Sequence, residues 1–394
     1  MKNMISILMG SQSDLETKWL KKVYIGIISI VLLGVCCAIS AYLFAQEENI
    51  KNSNEDNAAI YYSKAFDLLK YPFPAEPDFN KLKEIIERGW QEESKEAEKI
   101  LEENEPCLSE LKKGLLLKKC DFAFGEEYKY LTVKKLPNLV KARNSLNLLL
   151  LKGRYYEKQK DFAKAIDCCL SSLAFLHHIS QGNSMITDML VLSLEKNTYL
   201  PLKDYLSSQE IDKELCRKIL SYLEVFEKQH FSARRIMETE KEYFISDIQM
   251  IIDGSLKDQD DLKLNEDMKH KREDLVSQIL KQANELADRY YGNFIKAAQT
   301  GNKEDLSFAL EEAENIKRDA QFQGTDEEIF DAVGMLQDAV TGKIEQFNEK
   351  VAHKIVIKML ATRPLSSFKK VLDEYNSSLN ELKELKLLAK IKSK

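Results

Sequence analysis

The sequence predicts an all-α protein, with one N-terminal membrane helix followed by an α-helical-hairpin ectodomain. Three observations carry that expectation. Fourteen Gly and 7 Pro in 394 residues are too few to punctuate a chain of tight β-turns. No segment sustains the period-2 alternation of a half-buried strand. Near the N-terminus, residues 23–45 read VYIGIISIVLLGVCCAISAYLFA without a charge. An apolar share of 44% beside 31% charged residues excludes a chain disordered throughout. A net charge of −6 argues against phosphate-driven nucleic-acid binding, so no nucleic-acid partner is expected.

Residues 1–22 are expected to form a short cytoplasmic N-terminus, and residues 23–45 the transmembrane helix. At 1.5 Å per residue that helix is about 35 Å long, enough to cross a ~30 Å hydrocarbon core with some tilt. Tyr24 and Tyr42 fall near its ends, where amphipathic rings favour the headgroup region. Lys18, Lys21 and Lys22 precede it, and Glu47 and Glu48 follow. That asymmetry places the N-terminus in the cytoplasm and the bulk of the chain outside it, as a single-pass protein of the cell membrane. The rival is a cleaved signal peptide, whose apolar core is shorter and ends at an A-x-A-like site. Here the run is longer, and bulky Leu43 stands where a small residue is wanted. Gly34, Ala38, Ala41 and Ala45 provide small-xxx-small spacing that leaves homo-oligomerisation through this helix open.

Residues 46–56 form a polar tether. A helical-hairpin domain follows at 57–253, then a C-terminal helical region at 254–394. Asn57 or Asp56 is placed to cap a helix over 57–71, stopped by Pro72, Pro74 and Pro77. A charged helix with a narrow apolar stripe is expected over 78–104, and Pro106 opens a short helix reaching 117. Residues 119–135 lose helical periodicity and read as a long loop. Pro137 fits the first position of the next helix, whose Leu139, Ala142, Leu146, Leu149, Gly153 and Tyr156 recur at steps of three and four. Phe162, Ala165, Cys169, Leu173, Leu176 and Ile179 form the facing stripe, and Gln181, Gly182 and Asn183 end that helix. A third helix is expected over 185–199, interrupted at Pro201. Residues 209–253 contain neither Pro nor Gly, which predicts one helix of about 65 Å. Gly254 ends it, and a charged loop follows. Turns at 300–302 and 324–326 separate the next helices, and Pro364 begins the last.

Residues 149–176, LLLKGRYYEKQKDFAKAIDCCLSSLAFL, resemble one tetratricopeptide repeat. In that family a Gly in the first helix lets the second approach, an aromatic follows three residues on, and an Ala sits at the crossing. Gly153, Tyr156 and Ala165 match in spacing, and Asp161 with Phe162 fits the turn. Cys169 stands where an aromatic is usual and Ser172 where Ala is, and no terminal Pro follows. The resemblance assigns Gly153, Tyr156, Phe162, Ala165 and Cys169 to repeat packing. Ala58, Tyr62 and Ala65 reproduce the spacing of a second helix of the same repeat, but no 34-residue period runs further. NAAIYYSKAF, then a loop, then LPNLVKARNSLNLLL is also similar to uncharacterised membrane-anchored helical proteins of bacteria. That resemblance implies an architecture and no activity.

Chemistry is thinly signalled. His177 and His178 are adjacent, so on a helix they point apart and cannot share a metal as i,i+4 residues do. No HExxH, P-loop, GxGxxG, GxSxG or CxxC pattern occurs, and neither a cofactor nor a metal is expected. His230 and Glu240 fall near the apolar stripe of the predicted long helix, beside Arg234, Arg235 and Glu238. Five Cys lie outside residues 23–45: Cys107, Cys120, Cys168, Cys169 and Cys216. An odd count opposes a full disulfide framework, and only Cys107 with Cys120 is a pairing to consider. The expected function is a membrane-anchored, non-enzymatic protein-interaction scaffold, its protein partner unknown. The alternative is a structural spacer or assembly subunit, self-associating through long helices.

Overall fold

The structure, a computed structural model, describes residues 56–70, 77–90, 94–123, 129–131, 136–181, 184–257, 266–320, 326–341, 349–361, 363 and 365–394. The chain divides into two units, Met1–Asn57 and Ala58–Lys394. Among the described residues the fold is all-α, without a β-strand. The expected membrane helix at 23–45, its flanking lysines and the tether lie outside the described residues. Among those described, no helix is long and apolar enough to cross a membrane.

The helices in chain order are α1 (Ala58–Leu68), α2 (Pro77–Arg88), α3 (Lys95–Glu103), α4 (Glu105–Leu115), α5 (Leu139–Lys158), α6 (Phe162–Ser180), α7 (Met185–Ser207), α8 (Lys213–Gln229), α9 (Ala233–Lys257), α10 (Glu266–Thr300), α11 (Lys303–Asp319), α12 (Asp326–Val340), α13 (Glu349–Ala361) and α14 (Leu365–Lys392). Their starts are written in side chains. Asn138, Asp161, Ser184 and Asp212 each accept a hydrogen bond from the backbone N–H three residues on, opening α5 to α8. Lys160, at φ 62°, reverses the chain between α5 and α6, so the two pack as an antiparallel hairpin along their predicted stripes.

Around that hairpin, α1 crosses α4, while α7 follows α6 and then lies against α14. Lys196 meets Glu374, Lys203 meets Glu384, and Lys392 donates to the Ser207 carbonyl. Residue numbers rise together, so α7 and α14 run parallel. At 35 residues α10 is the longest described helix, about 52 Å. It packs on α9, α11 and α13 through Ile279, Ala283, Tyr290, Tyr291 and Phe294.

Four sequence expectations are corrected. The single helix predicted over 209–253 is two, because the backbone leaves helical geometry at His230 (φ −59°, ψ 133°). Ser232 then accepts from the Arg235 N–H at 3.1 Å to restart it. The helix predicted over 78–104 stops at Arg88, where Gly89 turns left-handed at φ 87°, and α3 starts anew behind Ser94. The helix expected to stop at 199 continues through Pro201 to Ser207. Burial of Leu202, Tyr205 and Leu206 beyond the proline outweighs its helix-interior cost of ~3 kcal/mol. Gly254 ends nothing, since α9 runs on to Lys257.

Candidate functional site: a groove beside the hairpin

Helix α5 uses its two faces differently. Inward, Gly153 is buried where α6 crosses. A Cβ added there would lie 3.2 Å from Cys168 Cβ and 3.4 Å from the Ala165 carbonyl oxygen. Ala165 and Cys169 are fully buried. Tyr156 and Phe162 are only half-buried. Phe162 meets Tyr205 of α7 edge-to-face at 6.1 Å, so it joins the hairpin to the next helix. The five residues assigned to repeat packing are thus split, with three inside the crossing and two on its margin. Cys168 takes part in the contact unforeseen. So does Gly114, under the Tyr62 ring at the α1–α4 crossing.

Outward, the same turns of α5 face α3 and α4. Glu98, Leu101, Glu102, Glu105, Lys152 and Tyr155 line an open groove of about 290 Å³. Lys152 Nζ sits 3.1 Å from Glu105 Oε2 and 5.6 Å from the centroids of both Tyr155 and Tyr156. Lys158 pairs with Glu98 at 2.8 Å and lies over the Trp90 ring at 5.2 Å. Trp90 meets Tyr155 at 5.8 Å. The groove therefore mixes Leu101 and Tyr155 with carboxylates of α3 and α4, two of them paired with lysines that also lie over aromatic rings.

Arg154, next to Gly153, fixes the frame. Its guanidinium is buried yet well partnered: Nε donates to the Ile86 carbonyl at 3.0 Å, Nη1 to Glu157 at 2.9 Å, and Nη2 to Asp204 at 2.9 Å. The Ile86 carbonyl belongs to the last turn of α2, where helix carbonyls lack intrahelical partners. One side chain thus ties α2, α5 and α7 together.

A second polar cluster lies in the core. His230 Nε2 stands 3.0 Å from both carboxylate oxygens of Glu195, and Nδ1 stands 2.9 Å from the Phe231 carbonyl. Ser378 donates to Glu195 at 2.6 Å, and Tyr199 is 3.4 Å from Ser378. Burial opposes charge on His230, but Glu195 overrides it and holds the imidazole pKa above its ordinary value. Both ring nitrogens face acceptors, an arrangement that favours the doubly protonated ring. The Ser, His and Glu here bolt together α7, the α8–α9 junction and α14, with the Ser378 hydroxyl bonded to the carboxylate.

The remaining polar predictions resolve individually. His178 accepts from Tyr62 at 2.6 Å inside the core, and burial lowers its pKa to about 4. Arg235 pairs with buried Asp188 at 3.0 Å. Burial pushes the Asp188 carboxyl up to about 7 even so. Glu240 accepts from the Met185 N–H at 3.2 Å, while Arg234 and Glu238 form an exposed pair at 2.7 Å. Cys107, Cys120, Cys168, Cys169 and Cys216 are free thiols, so the Cys107–Cys120 pairing is absent. Burial raises Cys107 to about 11 and Cys168 to about 12, which keeps them protonated. Among the described residues no three His, Cys, Asp or Glu side chains gather to hold a metal.

No protein family matches the chain, and neither a curated protein nor a solved structure does.

Proposed function

We propose that the protein is a membrane-anchored, non-enzymatic interaction scaffold, held by residues 23–45 and presenting its helical domain outside the cytoplasm. The domain is read as a divergent tetratricopeptide-like array with 149–176 as its best repeat. The observation that carries the proposal is the double use of α5. Gly153 brings α6 close, and one residue either side Lys152 lines the groove and Arg154 ties α5 to α2 and α7. Stacked helical hairpins commonly present such surfaces to protein segments. The spacer alternative relied on two long helices over 78–104 and 209–253, and both are interrupted, at Arg88 and at His230.

A photo-crosslinking residue at Tyr155 of the full chain, in its native membrane, tests the reading. It is expected to give a discrete adduct that disappears when Glu102→Lys inverts the rim. The same probe at exposed Phe308 on α11 should give none. Equal labelling from both positions, or no adduct from Tyr155, would remove the groove as the binding surface.

A further inference from the structure

Solvent-facing apolar side chains are scattered over most of the domain, but on the last turns of α14 they sit together. Leu387 is 60% exposed and Ile391 61% exposed, one helical turn apart. With Leu388, Glu384 and Lys203 they border an open apolar groove of about 250 Å³ against α7. Leu200, one turn before Lys203 on the same side of α7, is 43% exposed. The opposite face of α14 is committed to the core through Leu382, Leu385 and Ala389, so this outer face is left over by the fold.

The charges around it are mainly basic. Lys383 and Lys390 are exposed and share the face with Leu387 and Ile391 at helical spacing, and exposed Lys394 follows the end of the helix. The acid on that face, Glu384, is held by Lys203 at 3.3 Å. We propose that this lysine-rimmed apolar face docks on an anionic lipid surface. Leucine and isoleucine between lysines form the pattern of a helix face that lies in a bilayer interface, with apolar groups below the headgroups and ammonium groups among the phosphates. A second copy of the chain fits worse, because a twofold contact through this face would set the lysines against their own copies. The inference deepens the membrane reading and rests on it.

The test uses the full chain reconstituted in vesicles of phosphatidylcholine alone or with about 30% phosphatidylserine. A membrane-impermeant acetylating reagent is added and the lysines are read by mass spectrometry. Lys383 and Lys390 are expected to be protected at least about threefold in the anionic vesicles alone, with Lys99 and Lys303 unchanged. Protection should vanish in about 0.5 M salt and in the Leu387→Glu/Ile391→Glu variant. Equal labelling in both lipids, or protection that survives the double change, would overturn the proposal. Equal protection by soluble polyglutamate without vesicles would also overturn it, assigning the face to an acidic polypeptide. Vesicle flotation at high salt reads residues 23–45 separately and should be indifferent to the double change, so failure of the anchor and failure of the face are distinguished.

Discussion

Two histidines of this domain have their pKa values moved in opposite directions by their surroundings. His230 faces oxygen acceptors with both nitrogens, and Glu195 raises its pKa against the opposing effect of burial. His178 accepts from Tyr62 with Nδ1, and its ring also meets the Leu117 carbonyl, an arrangement that suits the neutral ring. A folded pKa of about 4 against ~6.5 unfolded means that the folded state resists protonation. Its stabilising contribution is complete above pH 6.5 and is lost as pH falls from there toward 4. At about 1.4 kcal/mol per unit, the loss is roughly 3 kcal/mol. Asp188 works in the other sense. Its raised pKa means the folded state binds that proton more tightly, so its contribution falls as pH rises from ~3.8 toward about 7. The wild-type profile therefore mixes the two, and the informative quantity is a difference. Urea unfolding of wild type and His178→Gln should show the wild type ahead at pH 8 and the gap closing toward pH 4. A gap independent of pH would mean that His178 is not held neutral. Residue roles of this kind were only partly legible in the sequence. His230, Glu240 and Arg235 stood out as polar groups near an apolar stripe. Their partners Glu195, Ser378 and Asp188 lie tens to more than a hundred residues away, and no local pattern names them.

At the scale of elements, the hairpin of α5 and α6 is readable because its signals are local: a 3.6 period, a turn at Asp161 and Phe162, and a Gly at the crossing. Where the reading failed, the physical cause was also local but weaker than the rule applied. The absence of Pro and Gly over 209–253 predicts continuity. Ser232 restarts a helix without either, and buried Phe231 with paired His230 fixes the break. Conversely, Pro201 was expected to stop α7, but packing beyond it overrides the local penalty. The crossing itself is testable. Gly153→Ala brings a Cβ to 3.2 Å from Cys168 Cβ, a tight contact offset by a helix-propensity gain of ~1 kcal/mol. The net change should stay within about 1 kcal/mol. Gly153→Leu cannot be accommodated against the Ala165 carbonyl and should cost about 1–3 kcal/mol. Thermal melts of the two variants decide. A Leu variant as stable as wild type would show that α6 does not pass close to Gly153, and the repeat resemblance would lose its central residue.

Across the whole molecule, the all-α class followed from composition and the missing alternation. The arrangement of fourteen helices among the described residues did not, because parallel packing of α7 on α14 joins segments nearly 180 residues apart. The functional account joins two features of different origin: an uncharged run of membrane length, known from sequence, and a helical domain with a groove, known from its packing. Its central claim is that residues 23–45 remain as a single anchor with the domain outside the cytoplasm. Protease added outside intact cells, with any outer layer permeabilised, measures that most directly. The account predicts digestion of the Ala58–Lys394 unit, while a short fragment containing residues 1–45 stays with the membrane. Survival of that unit until the inner membrane is lysed would contradict it.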